Sequence, residues 1–179
     1  MGKDGRRNAR SLRFRVQGDT LALPFPPGSF DALVSMDMLV HLPPGQETRA
    51  LVEFARVLRR GGLLAVRVSA LDILHSRHSQ FIDEKQRFTR RRLVQGLRQA
   101  GFQIERAVYA NALLLPAALL KFRLWAPLTR ARPSSGVDTR PGLLDALFYA
   151  ALRLEAAWIA LGGSFPAGQS LLAIARKTE

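Results

Sequence analysis

Side chains suited to acid–base or metal chemistry are few in this chain. It has no cysteine, which excludes a thiolate metal site and a cysteine nucleophile. His41 could orient a substrate or act as a base, because an imidazole titrates near neutral pH, or it could be structural. His75 and His78 lie three residues apart near Asp72 and Asp83, which is too weak a pattern to predict a metal site. We therefore predict no metal.

Two aspartates occupy positions where an α/β protein could hold a ligand. Asp37 follows an apolar run of strand length at residues 30–36, and open α/β sheets bind ligands at the carboxyl ends of their strands. Ser35 and Met36 would present their backbone at the same place, although ordinary loop polarity explains Asp37 equally well. Asp19 follows a glycine, so it is either a ligand-binding carboxylate or part of a Gly-Asp turn.

The hydrophobic pattern predicts strands that alternate with helices. Strands are predicted at residues 13–16, 30–36, 63–68, 102–109 and 170–175, and helices at 46–59, 89–100, 112–125 and 142–161. Gly61 and Gly62 are expected to end the first helix. Residues 63–68 are almost continuously aliphatic, which is typical of a strand buried on both faces. Together these features predict an α/β fold with a mostly parallel sheet and helices on both faces.

Length and composition predict one domain over residues 1–179, with a polar leader at 1–12 and a connector at 126–141. The net charge is +13, but 23 of the 27 basic residues are arginines scattered along the chain, so no nucleic-acid partner is expected.

No targeting signal or transmembrane segment is visible, which predicts a cytoplasmic protein. The helix at 142–161 has one apolar stripe, which we expect to pack against the sheet. The stripe comprises Leu147, Ala151, Leu154, Trp158 and Leu161.

Several segments, in order, resemble the later part of a class I S-adenosylmethionine-dependent methyltransferase of the type 11-like kind. Residues 18–25 and 28–31 resemble the connection between its third and fourth strands, and residues 34–37 and 40–42 the end of the fourth strand. Further similar segments are residues 56–64 at a helix–glycine–strand junction, 87–93 and 100–102 around a later helix, and 170–177 in the last strand.

The resemblance implies a fold and a cofactor. The fold would be a partial Rossmann-like sheet that lacks the first two strands of the order 3-2-1-4-5-7-6. The cofactor would be S-adenosyl-L-methionine, with the Asp19 carboxylate accepting from the adenine amino group and the Thr20 backbone touching the ring. Ser35, Met36 and Asp37 would also lie on the cofactor side. His41 and His78 are substrate-side candidates, the latter in a region where the family often builds a lid.

Two departures from the family pattern affect function. The glycine-rich cofactor loop and the following acidic residue have no counterpart, and Val40 and Arg60 replace the usual glutamate and proline. We therefore expect weak or lost cofactor binding. The favoured function is methyl transfer to an unidentified small or lipid-like acceptor. The alternatives are an inactive remnant or binding partner, and a peripheral lipid-associated protein.

The strand at 30–36 would be a sheet edge prone to self-association, and residues 12–16 would either dock beside it or stay detached.

Overall fold

The structure, a computed structural model, describes residues 15–71, 83–120 and 142–178. Its elements, in chain order, are β1 (Phe30–Met36), a 3₁₀ turn (Leu39–His41), α1 (Glu47–Val57), β2 (Leu58–Ser69), α2 (Arg90–Gln99), β3 (Phe102–Ala110), α3 (Leu115–Leu119), α4 (Leu143–Ala160) and β4 (Ser170–Lys177).

The four strands form one sheet in the order β1-β2-β4-β3. β1 pairs with β2 in parallel, and β4 is antiparallel to both β2 and β3, so β1, β2 and β3 run in the same direction. The predicted α/β class is confirmed, but in the described residues the sheet is mixed, because only the β1–β2 pair is parallel. The strand order is also the one that the resemblance implied for the fourth to seventh strands.

The hydrophobic core lies between one face of the sheet and helices α1 and α2. α1 is amphipathic, and the apolar side chains of Leu51 and Phe54 face the sheet together with Leu93 and Leu97 of α2. The inward residues of β2 and β4 alternate along each strand, as a sheet covered on one face requires. They are Leu64, Val66, Val68, Leu171, Ala173 and Ala175.

The opposite face of the sheet is covered less completely. α4 reaches it at β3, where Arg106 donates hydrogen bonds to the carbonyls of Ile159 and Gly163. Leu63 and Ala65 of β2 are only half-buried, and Val34 of β1 is mostly exposed. The predicted burial of residues 63–68 on both faces is therefore complete on one face and only partial on the other.

The glycine pair lies inside a strand rather than at a helix end. α1 ends at Val57 and β2 begins at the next residue. The β1–β2 register jumps from Phe30 opposite Leu58 to Ala32 opposite Leu63, so β2 contains an irregularity. Gly61 there has φ +71°, and a Cβ on Gly62 would lie 2.8 Å from the Arg59 carbonyl oxygen.

The side of α4 that faces the protein is not the predicted one. Four residues of the predicted inward stripe are between 52% and 85% exposed: Leu147, Leu154, Trp158 and Leu161. The buried residue is Glu155, which is 3% exposed. Its carboxylate accepts hydrogen bonds from the backbone N–H groups of residues 111, 112 and 113, which follow β3. These bonds satisfy amides that β3 leaves unpaired, and they fix which side of α4 faces the protein.

Other predictions are tested only in part. Arg15 and Val16 are exposed and in no strand, while residues 12–14 lie outside the described residues. The helix predicted at 112–125 is described as α3, and residues 121–141, including the connector, are not described. In the described part of the chain, no helix has both the length and the hydropathy that a membrane crossing requires.

Candidate functional site

A cleft of about 420 Å³ runs along β1. One wall is the loop at residues 20–25, and the other is β1 with part of α1. The cleft brings together Thr20, Ser35 and Met36, three of the candidate cofactor-binding residues. The lining is otherwise largely apolar and aromatic, and the rings of Phe25 and Phe30 meet edge to face at 4.9 Å between centroids. Its size and lining are those of a small-molecule site.

An ion pair on α1 holds the loop that forms one wall of the cleft. Arg56 donates to the carbonyl oxygens of Phe25 (2.8 Å) and Leu23 (2.9 Å), and the N–H of Leu23 donates to Glu53 (2.9 Å). The Arg56 guanidinium, hydrogen-bonded to Glu53, lowers the pKa of that carboxyl to about 2. Sequence reasoning missed this pair, although glutamate and arginine three residues apart on a helix are a recognisable signal.

Ser35 carries an unsatisfied polar atom in the cleft wall. The residue is 6% exposed, and its hydroxyl has no hydrogen-bond partner among the described residues. Buried hydroxyls in native proteins are almost always paired, so a ligand bound beside Ser35 would satisfy this group. This observation fits a bound cofactor with polar atoms.

Asp19 starts the turn that carries Thr20 to the cleft. Its carboxylate is exposed and accepts from the N–H of Leu21 (2.9 Å), while its carbonyl accepts from the N–H of Ala22 (3.0 Å). The turn-forming role of Asp19 is therefore observed. The residue itself is not among those that line the cleft.

Asp37 belongs to a polar row at the carboxyl edge of the sheet. Its φ of +54° is unusual for a residue other than glycine. Its N–H donates to the carbonyl of Arg67 (2.9 Å), and its carboxylate pairs with the Arg67 guanidinium (3.0 Å). Arg67 and Asn111 both donate to the hydroxyl of Ser170, at 3.2 Å and 3.4 Å. The row thus crosses the strand order from β1 to the end of β3.

One carboxylate oxygen of Asp37 is buried and has no partner in the part of the chain that the structure describes. It could accept a hydrogen bond from a ligand at the strand ends, where open α/β sheets place their sites. Sequence reasoning selected Asp37 but missed Arg67, Ser170 and Asn111. No local signal marks these three, because only the strand order brings them together.

His41 is not among the described residues that line the cleft. His41 ends the 3₁₀ turn, is exposed, and has its Nδ1 3.1 Å from the carbonyl oxygen of Asp83. A carbonyl only accepts, so Nδ1 is the donor in this contact. His78 lies outside the described residues.

Comparisons with known proteins support one family. Residues 2–66 match the family described as "Methyltransferase domain". Similar solved structures are the [4+2]-cyclase SpnF (23% identity, TM-score 0.51) and the SAM-dependent methyltransferases of Archaeoglobus fulgidus (12%, 0.51) and Thermotoga maritima (18%, 0.50). They match 90%, 90% and 92% of this chain.

The chain spans 54%, 66% and 64% of the lengths of those three proteins. At these identities the structures establish the fold, and the sequence match covers the loop and strand that form the cleft. The chain is thus similar to a methyltransferase domain over residues 2–66, and it shares an α/β fold with these solved structures.

Proposed function

We propose that this domain takes part in S-adenosylmethionine-dependent methyl transfer, with part of the cofactor bound in the cleft along β1. The observation that carries the proposal is Ser35, a residue of the cleft wall whose buried hydroxyl has no partner among the described residues; the cleft is built by residues within the family match. A ligand with polar atoms would remove the cost of leaving that hydroxyl unpaired.

Each candidate residue has a definite role in this proposal. Thr20 presents its backbone, and the apolar wall beside Phe25 suits the flat face of an adenine ring. Asp19 sets the turn and keeps one carboxylate oxygen for a ligand amino group. Ser35 and Met36 contact the cofactor from β1. When bound, S-adenosylmethionine supplies an electrophilic methyl group on its sulfonium sulfur.

The acceptor side is assigned to the carboxyl edge of the sheet. Arg67 holds Asp37 in place, and the free oxygen of Asp37 can accept a hydrogen bond from an amine or hydroxyl. His41 and His78 are proposed as substrate-side residues, and the Nε2 of His41 would accept a proton from an acceptor. Methyl transfer depends mainly on orientation, so these residues act as positioning groups.

The fold alone leaves the reaction open, since one of the matched structures is a cyclase. Saturation-transfer NMR with S-adenosylhomocysteine tests the cofactor step, because it detects weak binding. We expect signal transfer to the adenine protons, with a dissociation constant above about 1 mM for this chain, since no glycine-rich loop was found to supply charge-assisted bonds.

Two matched variants locate the site. Ala32→Phe places a ring in the cleft and should abolish the transfer, whereas Gln103→Phe changes an exposed strand residue outside the cleft and should leave it intact. Absence of transfer to the unaltered chain, or equal loss in both variants, would refute the proposed site.

A further inference from the structure

The exposed side of α4 carries the most unusual surface in the described residues. Leu147, Leu154, Trp158 and Leu161 recur at helical spacing, and all four are more than half exposed. We call them the α4 stripe. Single exposed apolar residues are ordinary, but a contiguous row with a tryptophan marks an interaction surface.

The fold keeps the α4 stripe from turning inward. Glu155 bonds to the backbone after β3, and Arg106 bonds to the carbonyls of Ile159 and Gly163 at the other end of the helix. Burying the stripe would require turning the helix, which would break the Glu155 bonds and leave the N–H groups of residues 111–113 without these partners. The exposure is therefore fixed by polar contacts.

A basic cleft follows the C-terminal end of the α4 stripe. Its volume is about 410 Å³, and Arg90, Arg98 and Arg106 line it together with Gly162 and Ser164. Gly162 directly follows Leu161, the most exposed residue of the stripe. Glu105 also lines the cleft, but its carboxylate is paired with Arg176 at 2.7 Å. The surface thus places apolar side chains beside a cluster of positive charge.

Few acidic groups lie near that end of α4. Asp145 is in the first turn of the helix, and Glu155 is buried. From residue 145 to residue 161 a helix rises by about 24 Å, so Asp145 lies far from the basic cleft. The whole chain carries a net charge of +13. An anionic partner with an apolar layer fits this arrangement.

We propose that the α4 stripe and the adjacent basic cleft bind the surface of a membrane that contains anionic lipids. Trp158 and Leu161 enter the boundary between headgroups and acyl chains, and the arginines contact lipid phosphates. α4 lies on the membrane and does not cross it, since no described helix meets the requirements of a span. This surface is separate from the cofactor cleft along β1.

Co-sedimentation with vesicles tests the proposal on the whole chain. We expect binding to vesicles of phosphatidylcholine mixed with phosphatidylglycerol, and negligible binding to phosphatidylcholine alone. The double change Trp158→Gln and Leu161→Gln should weaken binding by about tenfold or more, because both side chains lose their apolar insertion. The matched control is Val52→Gln, an exposed apolar residue of α1 on the opposite face of the sheet.

The charge contribution is tested separately. Arg90→Gln and Arg98→Gln should each weaken binding to the anionic vesicles by about fivefold at low salt. Arg49→Gln, an exposed arginine of α1, removes the same charge away from the basic cleft and should have a smaller effect.

Three results would overturn the proposal. They are absence of binding to anionic vesicles, equal binding to neutral vesicles, and self-association in sedimentation that the double change at residues 158 and 161 abolishes. The last would assign the α4 stripe to a second copy of the chain.

Discussion

Ser35 shows how a single side chain can be costly for folding and useful for binding. Its hydroxyl is buried without a partner, at the strand end that forms the cleft. Such a group loses its hydrogen bonds to water and gains none in the protein, which costs about 1–3 kcal/mol. If the proposed ligand supplies the missing bond, the cost falls only on the ligand-free protein.

We predict that Ser35→Ala raises the stability of the ligand-free protein by about 1 kcal/mol and weakens binding of S-adenosylhomocysteine. Urea unfolding measures the first effect, and saturation-transfer NMR the second. Ser170→Ala is the matched contrast, because that buried hydroxyl accepts from Arg67 and Asn111 and its removal should destabilise the protein. If Ser35→Ala destabilises the chain as Ser170→Ala does, Ser35 has a structural role instead.

At this scale the sequence identified part of the site. Thr20, Ser35 and Met36 were selected from short local segments, and the structure brings all three to one cleft. Arg67 and Ser170 were not selected, because they lie 103 residues apart and meet only through strand pairing. Local patterns predict residues at strand ends. They do not predict which strand ends become neighbours.

At the scale of elements, α1 both covers the sheet and holds the cleft wall. Its inner side packs in the core, while Glu53 and Arg56 bind the backbone of the loop at residues 20–25. Glu47, at the start of the same helix, is bound by Arg92 of α2. Burial acts to raise the pKa of Glu47, but the hydrogen bonds and charge of its partners outweigh burial and lower it.

These two carboxylates should make the domain sensitive to acid. The pKa of Glu53 falls from 4.5 to about 2 on folding, and that of Glu47 is also lowered. A carboxyl whose pKa is lower in the folded than in the unfolded state stabilises the fold at pH values above its unfolded-state pKa. This stabilisation is lost as the pH falls from 4.5 towards 2. Unfolding by urea across this range should show the loss.

Glu53→Gln should make that pH dependence shallower and should free the loop at residues 20–25, which amide hydrogen exchange would detect. Glu105→Gln is the control, since its partner Arg176 lies on the surface and exposed pairs contribute little. Equal pH profiles for Glu53→Gln and the unaltered chain would show that the ion pair does not contribute to stability.

Element boundaries were predicted well where local chemistry determines them. β1 has the predicted bounds, and Thr89 caps α2 by accepting from the N–H of Arg92. Two predictions were wrong because one pattern has two meanings. A glycine pair can follow the end of a helix or lie at an irregularity within a strand. An apolar stripe on a helix can pack in the protein core or stay exposed as an interaction surface. The contacts of Glu155, which decide the second case, are long-range.

The two edges of the sheet have different surroundings. In the described residues β1 pairs only with β2, and β3 only with β4. The edge at β3 lies beside α4 and the basic cleft, whereas the edge at β1 borders the cleft along β1. The α/β class followed from the alternation of strands and helices. The strand order followed only from the family resemblance, because periodicity within each strand does not specify its neighbours.

The free edge of β1 leads to a prediction about self-association. Its outer backbone groups are unpaired in the described residues, and Val34 and Met36 are both more than half exposed. An exposed apolar edge strand is a template for pairing with another chain. We therefore expect concentration-dependent association in sedimentation velocity, opposed by the net charge of +13 and increased by salt, which screens that charge.

Val34→Lys should shift the chain to a monomer, because a charged side chain on an edge strand disfavours pairing between strands. Val52→Lys adds the same charge on α1 and should leave the association unchanged apart from a small effect of net charge. The contributions of the β1 edge and of the α4 stripe can then be measured separately, because association through the edge depends on Val34 and not on the α4 stripe. A sharp, reversible thermal transition from a monomer at all concentrations would contradict this prediction and show that the described sheet is stable with its β1 edge free.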